Sequence, residues 1–206
     1  MDISLALNGL GRRFGARTVF AGISAAASAG ETLVVAGPNG SGKSTLLRII
    51  AGLLSPSAGT VSISRDGSIL DPQERRGVLG FVAPDLTLYR ELSGVENLQF
   101  FARLRGIELP RADLAALLER VGLKGRGRDL VGDYSSGMRT RLKYAFALMH
   151  RPPLLLLDEP TANLDSSGVA TVREIVEEQR SRGIAVIATN EASETAWGDR
   201  VVRLGT

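Results

Sequence analysis

A glycine-rich loop set between a short apolar run and an amphipathic segment constrains this chain more than any other stretch. Residues 33–46 read LVVAGPNGSGKSTL. Leu33 to Ala36 has the look of a buried strand, and Leu46, Leu47, Ile49 and Ile50 recur at helical spacing. Between them lie Gly37, Pro38, Asn39, Gly40, Ser41 and Gly42, then Lys43, Ser44 and Thr45. Strand, G-x-x-x-x-G-K-[ST] loop and helix together make a phosphate-binding loop. Glycines let successive backbone N–H groups turn inward around an anion, and the helix N-terminus adds partial positive charge. Lys43 is placed to reach the β- and γ-phosphates of a nucleotide, and the Ser44 hydroxyl to ligate Mg2+. A bare glycine-rich turn is the alternative, and the flanking strand and helix argue against it.

The chain has 206 residues, enough for one large domain or two small ones. It is 44% hydrophobic, as a globular protein is. No apolar run approaches the ~20 residues that span a bilayer, and the N-terminus lacks a basic segment followed by an apolar one. There is no cysteine, which excludes disulfides and thiolate metal sites. The net charge of +3 is spread among interspersed acids and bases, so it does not point to nucleic acid.

Along the chain, residues 3–7 and 18–27 read as strands, the latter with a kink at Gly22, and 9–15 as a turn-rich stretch. After the phosphate loop, 60–64 reads as a strand, 65–76 as a polar loop and 78–82 as a buried strand. From Ser93 the periodicity turns helical: Val95, Leu98, Phe101, Ala102 and Leu104 share one face, and helices follow over 111–121 and 135–149. Leu154 to Leu157 is uninterruptedly apolar, as in a strand buried on both faces of a parallel sheet. A helix over 166–182 and strands over 184–188 and 201–204 complete an α/β core with a helical insert.

Asp158 and Glu159 close the apolar run. An acid at the carboxyl end of such a strand can hold Mg2+, and its neighbour can polarise an attacking water. Tyr134-Ser135-Ser136-Gly137-Met138 precedes the 135–149 helix, where Ser135 alone would be read as a cap.

Taken together, these motifs resemble the ATP-binding-cassette (ABC) ATPases, over almost the whole chain. Residues 37–45 match the Walker A motif in full, 154–159 match Walker B plus the catalytic glutamate, and Ala162 to Asp165 match the D-loop. Residues 134–138 match the signature in a variant form, and Phe14 falls where the family stacks an aromatic on adenine. The resemblance implies a P-loop NTPase fold of ABC type. It would have a RecA-like parallel-sheet core, an N-terminal antiparallel β subdomain and a helical subdomain of roughly 86–150, all in one domain over 1–206. It also implies a head-to-tail dimer with two sandwiched ATP molecules. Lys43, Ser44 and Asp158 of one copy would hold each ATP, and Ser135 and Gly137 of the other would approach its γ-phosphate. The implied assembly is a homodimer of ATPase subunits, peripheral on the cytoplasmic face of a membrane beside a separate transmembrane permease. The chain is short for the family, leaving no room for a C-terminal regulatory domain. Its size and Tyr-Ser-x-Gly-Met signature resemble export-type members, such as the haem-exporter ATPase of cytochrome c maturation.

Besides the signature, where Ser136 and Met138 replace a glycine and a glutamine, two positions depart from the family pattern. Pro84 stands where a glutamine side chain is usual, with Asp85 beside it, and Asn190 (or Glu191, one residue on) stands where a histidine is usual. Asparagine can hydrogen-bond a γ-phosphate but cannot shuttle a proton. These departures imply intact ATP binding with slow or partner-dependent turnover. They keep open a regulatory cassette that pairs with an active one. A non-transport ABC protein is disfavoured by the absence of coiled coils and of a second cassette. A P-loop kinase or GTPase is disfavoured by the absence of a lid arginine cluster and of a guanine-reading motif. His150, the only histidine, Trp197 and the arginines at 103, 105, 111, 120, 126 and 128 read as structural or solvated.

Overall fold

The computed structural model describes residues 2–205. Strand β1 (Ile3–Phe14) pairs antiparallel with β2 (Arg17–Ser28), and its other edge pairs with β4 (Ala58–Arg65), which in turn pairs with β5 (Ser68–Ile69). Ile3, Leu5, Leu7 and Leu10 are buried along β1. The stretch 9–15, expected as turns, is therefore mostly strand. Pairing shifts register after Leu7, where Gly9 (φ 58°) and Gly22 (φ 71°) adopt left-handed backbone. A bulge of this kind bends and twists a strand without ending it.

A second sheet has the order β6-β7-β8-β3-β9, formed by β3 (Thr32–Ala36), β6 (Leu79–Val82), β7 (Leu154–Asp158), β8 (Ile184–Thr189) and β9 (Arg200–Arg203). Strand β3 runs parallel to both β8 and β9, and β7 runs parallel to β8. Every residue of β3, β7 and β8 is buried. Leu33, Val35, Leu154, Leu156, Ile184 and Val186 join one core with Leu46, Leu47, Ile49 and Ile50 of α1 (Lys43–Ile50) and the inner face of β1. Val34, Leu155, Leu157 and Ile187 are buried on the opposite face. Burial on both faces is why these strands are apolar throughout rather than alternating.

The region 65–76, expected as a loop, carries β5 and the start of α2 (Pro72–Val78). Asp71 Oδ1 accepts from the Gln73 and Glu74 amides at 2.7 and 2.8 Å, and Glu74 Oε2 accepts from the Asp71 amide at 2.9 Å. This reciprocal capping box, with proline at the first helical position, starts a helix that has too few apolar residues to show a period.

The chain divides into two compact units. The first comprises the chain through Phe81, Pro152–Pro160, and the chain from Val176 onward; the second comprises Val82–Arg151 and Thr161–Ile175. The second is built on α3 (Gly94–Leu104), α4 (Arg111–Arg120) and α5 (Ser136–Leu148), with α3 and α4 packed against α5. It takes in more than the 86–150 insert, because the 161–175 segment belongs to it. Leu104, placed on the apolar face of α3 by periodicity, is 69% exposed, while Tyr89, Phe100, Phe101 and Phe146 form a chain of ring contacts at 4.9–5.9 Å. Helix α6 (Ser166–Arg180) begins in this unit and ends in the first, and α7 (Ala192–Thr195) is a single turn before β9. Among the described residues, no helix is long and apolar enough to cross a membrane.

Asp199 ties the start of β3 to the end of α6. Its Oδ2 accepts from the Thr32 amide and from Arg180 Nη2, both at 2.7 Å. The Thr32 amide first, and Arg180 after it, hold this carboxyl below its usual range. A depressed carboxylate stabilises the fold above its unfolded pKa, and that stability is lost as pH falls through the folded value. Asp199→Asn is therefore expected to cost roughly 1 kcal/mol at pH 7, with the difference between the two proteins shrinking as pH falls below the ordinary carboxylate range. Denaturant melts of both proteins across this range measure it; an undiminished difference at low pH would exclude the carboxylate as the cause.

Candidate functional site

The phosphate loop hangs from the carboxyl end of β3. The Gly37 amide donates to Thr189 O at 3.3 Å, and Leu204 N donates to Ala36 O at 2.8 Å, so the loop's root is laced to the ends of β8 and β9. Gly40 (φ 81°) and Gly42 (φ 100°) take the left-handed conformation that turns backbone amides to one side. Gly42 also leads into α1, and a Cβ there would lie 2.5 Å from Val19 Cγ1. Two observations therefore require glycine at this position.

Lys43 is nearly buried. Its Nζ donates to Gly37 O at 3.0 Å and Pro38 O at 3.2 Å, and lies 3.2 Å from Glu159 Oε1. Ser44 Oγ donates to Asp158 Oδ1 at 3.0 Å. Asp158 is 3% exposed; burial pushes its carboxyl above the usual range, and the Ser44 hydrogen bond opposes that shift. Glu159 follows with a left-handed backbone (φ 49°), held by its amide donating to Ala188 O at 2.9 Å. A side chain with Cβ in this region is strained by order 1–2 kcal/mol. The turn thereby aims Glu159 at Lys43 instead of continuing the strand.

Phe14, Arg17, Val19, Asn39, Gly40, Gly42, Lys43, Ser44, Thr45 and Glu159 line a cleft of about 620 Å³, all within the first unit. Phe14 is 51% exposed, with the Arg12 guanidinium carbon 4.2 Å from its ring centroid. Arg17 and Val19 were not expected here. The hairpin supplies the missing signal, because Phe14 and Arg17 are cross-strand partners around a two-residue turn.

The donor set fits an anion and a divalent cation. Ser41 Oγ is buried without a hydrogen-bond partner in the loop. Ser44 Oγ and Asp158 Oδ1, 3.0 Å apart, present adjacent hard oxygens to a cation. Among the described residues there is no cluster of three or more His, Cys, Asp or Glu that could hold a metal. Mg2+ needs none, because it takes one or two protein oxygens with phosphates and waters.

The other expected site residues fall in two places. Asn190 follows β8 in the first unit, exposed at the edge where β3 and β7 also end. Ser135, Gly137 and Asp165 lie in the second unit. Ser135 caps α5, its Oγ accepting from the Met138 amide at 3.2 Å. Pro84 lies there too, and its carbonyl accepts from Lys143 Nζ at 2.6 Å. His150 Nε2 is 3.3 Å from Arg105 Nη1, within the same unit.

A sequence-family model described as "ABC transporter" matches residues 20–162. The chain belongs to the ABC transporter family. This ABC protein is 39% identical over 184 residues to an uncharacterized ABC transporter ATP-binding protein of Bacillus subtilis, covering 89% of this chain and 59% of that one. It is 36% identical over 197 residues to a daunorubicin resistance ATP-binding protein of Streptomyces coeruleorubidus, covering 95% and 62%. It is 39% identical over 177 residues to a cytochrome c biogenesis ATP-binding export protein of Brucella abortus, covering 85% and 80%. The chain thus spans less than two thirds of the length of the first two relatives. Among solved structures, it matches an ATP-binding subunit of an ABC transporter with a TM-score of 0.83 and 29% identity, over 97% of this chain and 85% of that one. It also matches a dimeric ATP-binding cassette in a post-hydrolysis state with ADP and phosphate, with a TM-score of 0.83 and 25% identity, over 97% and 94%. The family is one of ATP-binding cassettes, and the architecture seen here is the ABC ATPase fold.

Proposed function

We propose that this chain is the ATP-hydrolysing subunit of an ABC exporter, driving a separate transmembrane partner from the cytoplasmic face. The observation that carries the reading is the Lys43–Glu159 and Ser44–Asp158 constellation at the floor of the cleft. Lys43 binds the β- and γ-phosphates, with the loop amides and the Ser41 hydroxyl completing the cradle. Ser44 and Asp158 would hold Mg2+, which supplies neutralisation of phosphate charge. Glu159 takes the proton of the attacking water, and Phe14 stacks on adenine while Arg12 covers its other face. Asn190, beyond the end of β8, offers an amide to the γ-phosphate.

Ser135, Gly137 and Asp165 serve the nucleotide of a second copy. The dimeric post-hydrolysis cassette supports this, since that protein shares the fold over nearly its full length. Export rests on the relatives: one is called a resistance protein and another an export protein. Steady-state hydrolysis and sizing of the whole chain with ATP, ADP and Mg2+ test the proposal. Hydrolysis together with an ATP-dependent dimer is the expected result; a chain that binds ATP yet stays monomeric and inert would favour the regulatory reading. Pro84 is the observation behind that second reading, because its ring offers no polar group to a nucleotide and its carbonyl is taken by Lys143.

A further inference from the structure

Two residues one turn apart on α5 hold the segment after β7. A Cβ on Gly137 would sit 3.1 Å from Asn163 O, so the backbone there lies directly on the first turn of the helix. One turn on, Arg141 Nη2 donates to Asp165 Oδ1 at 2.7 Å and to Ser167 Oγ at 2.8 Å, and its Nη1 donates to Val121 O at 3.3 Å. Ser167 Oγ closes the ring by donating to Asp165 at 3.1 Å. Two glycines make room for the guanidinium. A Cβ on Gly122 would come within 2.3 Å of Nη1, and one on Gly168 within 3.1 Å of Nη2.

The exposures are unequal: the Arg141 side chain is 14% exposed and that of Asp165 is 70%. The arginine is the fixed member, and the carboxylate is what it holds at the surface. The Gly168 amide already bonds Asp165 and is the largest cause of its depressed pKa, with Arg141 next. Capping of α6 therefore does not need the arginine. The arginine's separate contribution is to join that cap to α5 and to the end of α4. Asn163, whose carbonyl is the first of the two anchor points, has a left-handed backbone (φ 65°), which asparagine adopts more readily than other residues with a side chain and which turns the chain toward Asp165. Elsewhere on α5, Lys143 Nζ bonds Ala83 O and Pro84 O, tying down a different loop.

We propose that Arg141 is a positioning residue that locks the 161–167 segment to α5, so that Ser135, Gly137 and Asp165 form one rigid face. That this face meets a nucleotide held by a second copy rests on the function proposed above. The lock itself stands on the contacts within the second unit.

The test uses the full chain with Arg141→Gln, Arg141→Lys and Lys143→Gln. Without nucleotide, amide exchange over 161–168 is expected to quicken about tenfold in Arg141→Gln and to stay unchanged over 83–86, with the opposite pattern in Lys143→Gln. Unchanged exchange over 161–168 in Arg141→Gln would overturn the proposal. If Arg141→Gln does not fold, Asp165→Asn replaces it, because it keeps an acceptor for the Gly168 amide and loses the ion pair; the same release is expected.

With Mg-ATP, Arg141→Gln is expected to bind within about twofold of the native chain while kcat falls roughly tenfold. Arg141→Lys is expected to recover part of the rate, because an ammonium reaches Asp165 but cannot also span Ser167 and Val121 O. Equal losses of binding and turnover, or an unchanged kcat, would overturn the positioning role. A native chain that neither hydrolyses ATP nor dimerises would sink the proposed function instead, leaving the exchange result to decide this one.

Discussion

Glu159→Gln is expected to slow ATP hydrolysis by about 10²–10³-fold while leaving ATP bound as tightly as before, or up to about tenfold tighter. The rate falls because the amide cannot accept a proton from the attacking water. The affinity holds or rises for a reason visible in the geometry. Glu159 Oε1 lies 3.2 Å from Lys43 Nζ, so a phosphate that takes the lysine competes with the glutamate for it. The neutral isostere weakens that competitor and leaves the bonds from Lys43 to Gly37 O and Pro38 O in place. Single-turnover hydrolysis and calorimetric titration with Mg-ATP separate the two effects. A variant that keeps native turnover would remove Glu159 from the chemistry and return the departures at Pro84 and Asn190 to the centre of the problem.

Lys43→Ala is expected to weaken Mg-ATP binding by roughly 30- to 1,000-fold, the range for losing a charge-assisted contact worth about 2–4 kcal/mol in a nearly buried position. Lys43 is 5% exposed, and three protein oxygens already fix its ammonium. The rotamer is thus ordered before any ligand arrives, so little conformational entropy remains to be lost. Lys43→Arg should do almost as badly, because a planar fork does not fit where a compact ammonium meets two carbonyls and a carboxylate. Titration with a fluorescent ATP analogue measures both. Binding within a few-fold of native in Lys43→Ala would mean that the loop amides carry the phosphates without it.

Much of this site could be read before the fold was known, because its chemistry sits in contiguous residues. The phosphate loop and the Asp158-Glu159 pair each announce themselves within a dozen positions. The structure brings them together through parallel strands whose uninterrupted apolar character is itself a signal. What was hidden had other causes. Helix α2 escaped because its signal is a cap and not a period: Asp71, Pro72 and Glu74 specify a start that hydrophobic spacing cannot see. Residues 9–15 read as turns because glycines usually mark turns, whereas here they mark bulges in a continuing strand. The Arg141–Asp165 contact joins residues 24 apart in the chain, one on a helix and one on a loop, and no local pattern encodes it. The exposure of Leu104 shows the converse failure: its spacing fits the apolar face, but it lies at the last position of α3, where nothing packs over it to bury it.

The order of strands in the parallel sheet also sets when the site can exist during synthesis. Strand β3 is finished by Ala36, yet both of its neighbours, β8 and β9, come from residues 184–203. Until a ribosome has delivered those late strands, β3 has no strand on either side and the root of the loop lacks Thr189 O, one of its anchors. Long-range parallel pairing of this kind closes late and slowly. An unfinished chain would therefore carry an intact phosphate-loop sequence without a phosphate site, and nucleotide capture would report that the rest of the sheet has arrived.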